Sequence, residues 1–122
     1  MNETIKQEMI KETRRQVMAA FRSLRKQNFI CRPNFMCCGG CALAALNPVT
    51  RKQKNIVAVA YWHKQADEKF REKGYLHIYF SGVEKRMGMI ATGNRIVKAL
   101  KEVGLNPIWN GSGNTAIEVK TI

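Results

Sequence analysis

The chain has 122 residues, enough for one domain that buries a hydrophobic core without the help of disulfides. Its 21 lysines and arginines against nine acidic residues leave a formal net charge of +12. The sequence has no run of about 18 apolar residues, which excludes a membrane-spanning helix. Because a compact domain with this much charge of one sign repels itself, we expect a polyanionic partner, either nucleic acid or an acidic protein surface.

The N-terminal residues lack the apolar run and the cleavage site of a secretory signal. We therefore expect a cytoplasmic protein. In that reducing compartment its four cysteines would be thiols, metal ligands or redox groups.

The first predicted element is a helix over residues 3–27, a stretch without glycine or proline that is rich in good helix formers. At about 100° per residue, its apolar side chains fall in one arc of about 120°, which contains Met9, Ile10, Val17, Ala20, Phe21 and Leu24. A second arc beside it carries six cations, namely Lys11, Arg14, Arg15, Arg22, Arg25 and Lys26. Because almost no acid lies among them, we interpret this arc as a surface that binds nucleic-acid phosphates.

A short strand is predicted at residues 29–31, followed by a glycine-containing turn over residues 34–41. Residues 42–46 favour a short helix that ends before Pro48, because proline restricts the residue before it to extended backbone. Residues 49–55 are predicted as a basic loop. Its cations would add to the phosphate-binding surface, and they are Arg51, Lys52 and Lys54.

Residues 56–62 are apolar or β-branched throughout, which is typical of a central strand buried on both faces. Residues 63–73 are highly charged and predict a loop or a short exposed helix. A second strand is predicted at residues 75–80, and a second long helix at residues 83–103, capped by Gly104.

A hairpin around the glycine-rich turn 110–114 completes a single α+β domain over residues 1–122. Residues 1–27 form its basic helix, and residues 28–122 form the cysteine turn, the sheet and the second helix. The simplest architecture is one layer of mostly antiparallel sheet packed against two long helices and one short helix. Alternatively, the strands that flank the second long helix pair in parallel through a right-handed crossover.

Cys38 and Cys41 have the spacing of a metal-binding turn and also of a dithiol redox pair, because a tight turn brings two sulfurs within reach of one ion or of each other. A tetrahedral zinc site needs four ligands, and the candidates to complete it are Cys37, Cys31, His63 and His77. Adjacent cysteines rarely bind the same ion, since their side chains diverge in extended backbone. Three alternatives stay open on the sequence alone: buried free thiols, a disulfide or reactive dithiol, and zinc held by Cys38, Cys41, Cys37 and His63.

Four segments together resemble a bacterial domain family of unknown function. The family carries N-F-x-C-C-x-x-C, then a strand ending in His followed by Gln and Asp, then a helix with G-x-x-I-V-x-A-L-x-x-x-G-L, and a strand with W-D/N-G. Here the segments are residues 34–41, 61–67, 94–105 and 109–111. The resemblance covers about residues 29–120 and implies no activity, but it implies a shared site near Cys37, Cys38, Cys41, His63 and Trp109.

The leading hypothesis from the sequence is a small basic binding protein without catalytic activity, which docks on nucleic acid through the cations of its first helix. The first alternative is an interaction module or inhibitor that binds an acidic protein surface. The second is a thiol-dependent redox enzyme, in which Cys38 or Cys37 attacks, Cys41 resolves and His63 serves as base.

Overall fold

The computed structural model describes residues 3–121, and over that range it contains four helices and a four-stranded sheet. The α+β class predicted from the sequence is confirmed. The helices are α1 (Glu3–Arg25), α2 (Gly39–Lys52), α3 (Lys64–Lys73) and α4 (Met89–Glu102). The strands are β1 (Phe29–Arg32), β2 (Ala58–Tyr61), β3 (Tyr75–Gly82) and β4 (Ile117–Lys120).

The sheet has the order β1-β2-β3-β4 and is mostly antiparallel, as predicted. β3 pairs antiparallel with both β2 and β4, whereas β1 and β2 are parallel and are joined across α2. The alternative of parallel strands around the second long helix is therefore wrong, since β3 and β4 flank α4. The chain after α4 returns along that helix, so that Gly113 lies against Met89 and β4 enters beside β3 in the opposite direction.

Side chains that alternate along the strands divide the interior into two cores. On β2, Ala58 and Ala60 belong to the main core with α1, α3 and α4, while Val59 and Tyr61 face a smaller core beneath α2. All four residues of β2 are buried, which confirms the prediction of a strand covered on both faces. α1 and α2 therefore lie on opposite faces of the sheet.

The prediction that the short helix ends before Pro48 is wrong, because α2 continues through Pro48 to Lys52. The proline is exposed, so its missing N–H and its ring lie on the solvent side of the helix. The inner side carries Ala42, Leu46 and Thr50, all buried. Burial of this continuous side outweighs the local cost of proline, and half of the predicted basic loop is helical instead.

The second long helix is shorter than predicted, because α4 begins at Met89 and residues 83–88 form a turn. Lys85 has a left-handed φ of 67°, and Gly88 is the extended N-cap residue. The charged segment after β2 is the helix α3, which was one of its two predicted forms. The predicted hairpin is reduced to a single bridge between Ile108 and Glu118.

Candidate functional site

The cysteine turn, residues 37–41, is placed by a loop with unusual backbone geometry. Asn34 and Met36 have left-handed φ values of 44° and 63°, which residues other than glycine seldom adopt. Two hydrogen bonds hold this conformation: Phe35 N–H donates to the Trp62 carbonyl at 2.8 Å, and Lys64 N–H donates to the Met36 carbonyl at 2.9 Å. The turn is thereby fixed at the carboxyl end of β2.

Helix α2 starts inside the cysteine turn. Cys38 is its extended N-cap residue, with φ −155° and ψ 171°, and Cys41 is its third residue. In a helix start, the side chain of the cap residue lies toward the third helical residue. The local backbone therefore brings Cys38 and Cys41 together, as the two-residue spacing predicted.

Cys37, which the sequence analysis included among the candidate zinc ligands, lies beside this pair. Its sulfur lies 3.4 Å from Cys41 Sγ and 3.9 Å from Cys38 Sγ, and all three sulfurs lie within 4.8 Å of one another. The expectation that adjacent cysteines diverge is wrong here, because the chain turns sharply between the left-handed Met36 and the helix instead of running extended. We call these three sulfurs the sulfur cluster.

The sulfur cluster is exposed to solvent, and the pKa values of its Cys38 and Cys41 thiols are shifted in opposite directions. Cys37 and Cys41 are exposed, and Cys38 is half-buried. The pKa of the Cys38 thiol is lowered, chiefly because the backbone N–H of Cys41 stabilises its thiolate, and further because the Cys41 and Cys37 thiols do the same. The neighbouring Cys37 and Cys38 sulfurs raise the pKa of Cys41 to about 11. Cys38, at the positive end of α2, is therefore the preferred site of the first thiolate.

The fourth cysteine lies elsewhere. Cys31 is fully buried in the main core, and burial raises the pKa of its thiol to about 12 against the opposing effect of Arg25 and Arg32. It matches the sequence-based alternative of a buried free thiol, and it is not a member of the sulfur cluster.

Neither histidine joins the sulfur cluster over the range that the structure describes. His63 caps α3, where its Nδ1 accepts a hydrogen bond from Ala66 N–H at 3.2 Å, and its ring stacks on Tyr79 with centroids 4.9 Å apart. Burial lowers the pKa of His63. His77 Nε2 lies 3.3 Å from Glu118 Oε1. The arrangement of His63 is that of a helix cap.

The cations predicted on the first helix fall into two groups. Arg14 donates to Asp67 Oδ1 at 2.6 Å and lies over the Phe70 ring, and Arg25 donates to the Cys31 carbonyl at 2.8 Å. The other four are exposed, as Arg25 is too, and we call them the basic face of α1: Lys11, Arg15 and Arg22 lie in the helix, and Lys26 directly follows its last residue. Arg15 on this face also pairs with the exposed Glu12 at 2.9 Å.

The predicted loop cations do not extend the basic face of α1. Arg51, Lys52 and Lys54 are exposed at the end of α2, on the opposite side of the sheet. There Arg86 donates to three carbonyl oxygens at the end of that helix, those of Thr50, Gln53 and Ile56. No spacing in the sequence pointed to Arg86, because its partners lie 30 to 36 residues away.

Trp109, which the resemblance placed near the shared site, is a packing residue beside the main core. Its ring covers Gly93 of α4, its Nε1 donates to the carbonyls of Ser112 and Thr115, and its edge contacts Phe80. The residues of the resemblance thus include both the exposed sulfur cluster and structural contacts.

Comparison of the chain with models of protein families finds a match. A family model described as a domain of unknown function (DUF6891) matches residues 11–122, slightly more of the chain than the resemblance covered. No curated protein and no solved structure matches the chain. Among residues 3–121, no helix combines the length and the apolar character needed to cross a membrane.

Proposed function

The chain belongs to the DUF6891 family, whose function is unknown, and we propose from the geometry of its site that the domain binds a thiophilic metal ion through Cys37, Cys38 and Cys41. The observation that carries the proposal is the convergence of three thiol sulfurs within 4.8 Å on an exposed turn. Metal–sulfur bonds of about 2.3 Å separate the sulfurs of a tetrahedral site by about 3.8 Å. The separations of 3.4 and 3.9 Å bracket that value.

Zinc is the ion that the sequence left possible for this turn, beside free thiols and a disulfide or reactive dithiol. Zinc in structural protein sites has four ligands, and the three thiolates would supply three of them. A fourth ligand would come from solvent or from His63, which caps the neighbouring helix α3. The same thiols are also chemically able to form a disulfide, and Cys37 and Cys41 are the closest pair.

The test loads the reduced full chain with Zn(II) or Cd(II) in the absence of chelators and counts the ions retained after desalting. We expect one equivalent, with a cadmium–thiolate absorption band in the ultraviolet. Cys37→Ser, Cys38→Ser and Cys41→Ser should each lose it, whereas the matched control Cys31→Ala should keep it, because that thiol is buried elsewhere. Retention by the triple serine variant would contradict the proposal, as would a wild-type chain that holds none of Zn(II), Cd(II) and Cu(I), the last offered under anaerobic conditions.

We propose as a second function that the basic face of α1 docks on nucleic-acid phosphates. Its support is the exposure of Lys11, Arg15, Arg22 and Lys26 along one line of the helix, on a chain of net charge +12. At 1.5 Å per residue, the line is about 22 Å long, which corresponds to about six base pairs of duplex. Contacts to phosphates fix position without reading sequence, so we expect little sequence preference.

The test measures affinity for a mixed-sequence duplex and a single strand across a salt series. The test variant has glutamine at Lys11, Arg15, Arg22 and Lys26, and it should bind more weakly. For duplex, its slope of log affinity against log salt should be smaller by about 3 to 4, since each phosphate contact contributes about 0.9. The control removes the same charge elsewhere, by glutamine at Arg51, Lys52, Lys54 and Lys69, all exposed. Equal losses in both variants would contradict a defined binding face. Absence of binding at low salt would favour an acidic protein partner.

A further inference from the structure

The donor set of the cysteine turn is purely sulfur. Over the described residues, the cluster contains three thiols and no histidine or carboxylate. The other ligand candidates have different positions or partners. Cys31 belongs to the main core, His77 is paired with Glu118, and His63 uses Nδ1 to cap α3.

The number and kind of donors discriminate between metal ions. Zinc in closed protein sites takes four ligands in a tetrahedron, whereas the cluster offers three. Thiolates are soft ligands and favour soft ions such as Cu(I), which two or three sulfurs satisfy. We propose, on the basis of the metal-binding function above, that Cys37, Cys38 and Cys41 select a soft ion of low coordination number, represented by Cu(I), over Zn(II).

The sulfur geometry is compatible with a planar three-coordinate site. Three sulfurs about 2.3 Å from a central ion form a triangle with edges of about 4.0 Å. The Cys37–Cys41 and Cys37–Cys38 separations are 3.4 and 3.9 Å, and no separation exceeds 4.8 Å. Because Cys37 and Cys41 are exposed, rotation of their side chains can adjust these separations toward the triangle.

The electrostatic surroundings favour such a complex. Three thiolates around a monovalent ion form a doubly negative centre. The cluster lies at the N-terminus of the 14-residue helix α2, whose first N–H groups present partial positive charge. The whole chain carries +12, so the excess negative charge of the complex is stabilised and not repelled.

The experiment works anaerobically on the reduced full chain. One arm offers Cu(I) in competition with bicinchoninate, and the other offers Zn(II) in competition with a chromophoric zinc chelator. We expect one equivalent of Cu(I) to resist the competitor while Zn(II) transfers to its chelator. X-ray absorption should report three sulfur neighbours and no nitrogen neighbour.

Two sets of variants locate the ion. Serine at Cys37, Cys38 or Cys41 should reduce the sulfur neighbours from three to two and weaken Cu(I) binding by on the order of 100-fold, since changes around a metal ligand alone cost about 10- to 100-fold. Cys31→Ala should leave binding unchanged. His63→Asn should also leave it unchanged, because asparagine preserves the helix cap.

The outcomes separate the two proposals. Tighter retention of Zn(II) than of Cu(I), with a nitrogen neighbour that disappears in His63→Asn, would overturn the preference for a soft three-coordinate ion and leave metal binding intact. Failure to retain either ion would overturn both. Cu(I) that the triple serine variant retains equally well would place the ion elsewhere and overturn the assignment of the site.

Discussion

Asp67 is the buried acid that connects three parts of the fold. Its residue surface is 3% exposed, and its carboxylate accepts hydrogen bonds from Trp62 Nε1 at 3.0 Å and from Arg14 at 2.6 Å, with Arg71 at 3.2 Å. Across residues 3–121, no buried side-chain polar atom lacks a hydrogen-bond partner. The contacts of Asp67 join α1, the end of β2 and α3, so Arg14 stabilises the fold and is not available as a surface cation.

Replacing Asp67 by alanine should lower the free energy of unfolding by about 2–4 kcal/mol. The substitution leaves the Trp62 N–H and the half-buried Arg14 guanidinium without their acceptor, and such groups are costly when unpaired. Urea denaturation measures the change. The control is Glu68→Ala, an exposed acid in the same helix, with an expected change within about 0.5 kcal/mol. Equal effects of the two substitutions would show that the contacts of Asp67 contribute nothing specific.

At the scale of elements, α4 and the chain that follows it are joined by a close contact between Gly93 and Trp109. A Cβ at Gly93 would lie 2.4 Å from the indole ring. The ring in turn is oriented by hydrogen bonds to the carbonyls of Ser112 and Thr115. Glycine is thus required inside this helix because the indole occupies the position of a side chain, although glycine lowers helix propensity.

Gly93→Ala should destabilise the wild-type protein by about 1–3 kcal/mol, because the added methyl group overlaps the indole. In a Trp109→Ala background, the same substitution should stabilise by about 0.5–1 kcal/mol, since only the helix propensity of alanine then acts. Denaturation of the four proteins of this double-mutant cycle measures both values. An effect of the same sign in both backgrounds would exclude the contact as the reason for glycine.

At the scale of the whole molecule, the charge is far from balanced. Nine acids face 21 basic residues, and Asp67 alone receives two of the ion pairs that the structure contains between residues 3 and 121. Most cations, including the basic face of α1, therefore repel one another in the folded state. This repulsion is long-ranged at low ionic strength and screened by salt.

Raising sodium chloride from about 0.01 to about 0.15 M should increase the Tm by a few degrees, because the Debye length falls from about 30 to about 8 Å. The variant with glutamine at Lys11, Arg15, Arg22 and Lys26 carries +8, four less than the +12 of the wild type. Its Tm should therefore increase less when salt is added. Thermal unfolding by circular dichroism measures both proteins. A Tm that falls with salt would show that attraction within ion pairs dominates over repulsion.

The contacts that occupy Arg14 and those that position the cysteine turn were inaccessible from the sequence because they join distant residues. Arg14 reaches Asp67 across 53 positions, and the loop that presents Cys37 is held by the backbone of Trp62 and Lys64. From the geometry of extended backbone, the side chains of the adjacent Cys37 and Cys38 were expected to diverge. A left-handed Met36, whose carbonyl accepts a hydrogen bond from Lys64 N–H, reverses that expectation.

The sequence by itself determined what depends on local periodicity and composition: the two faces of α1, the buried β2, the proximity of Cys38 to Cys41 and the excess of positive charge. Tertiary structure alone decided which strands are parallel, how far α2 continues past Pro48, and which cations of the first helix contact other parts of the fold. It also decided that the Cys37 sulfur lies beside those of Cys38 and Cys41 and does not diverge from them. The physical reason is that periodicity is a property of neighbours along the chain, whereas these features are set by the free energy of contacts between segments far apart in it.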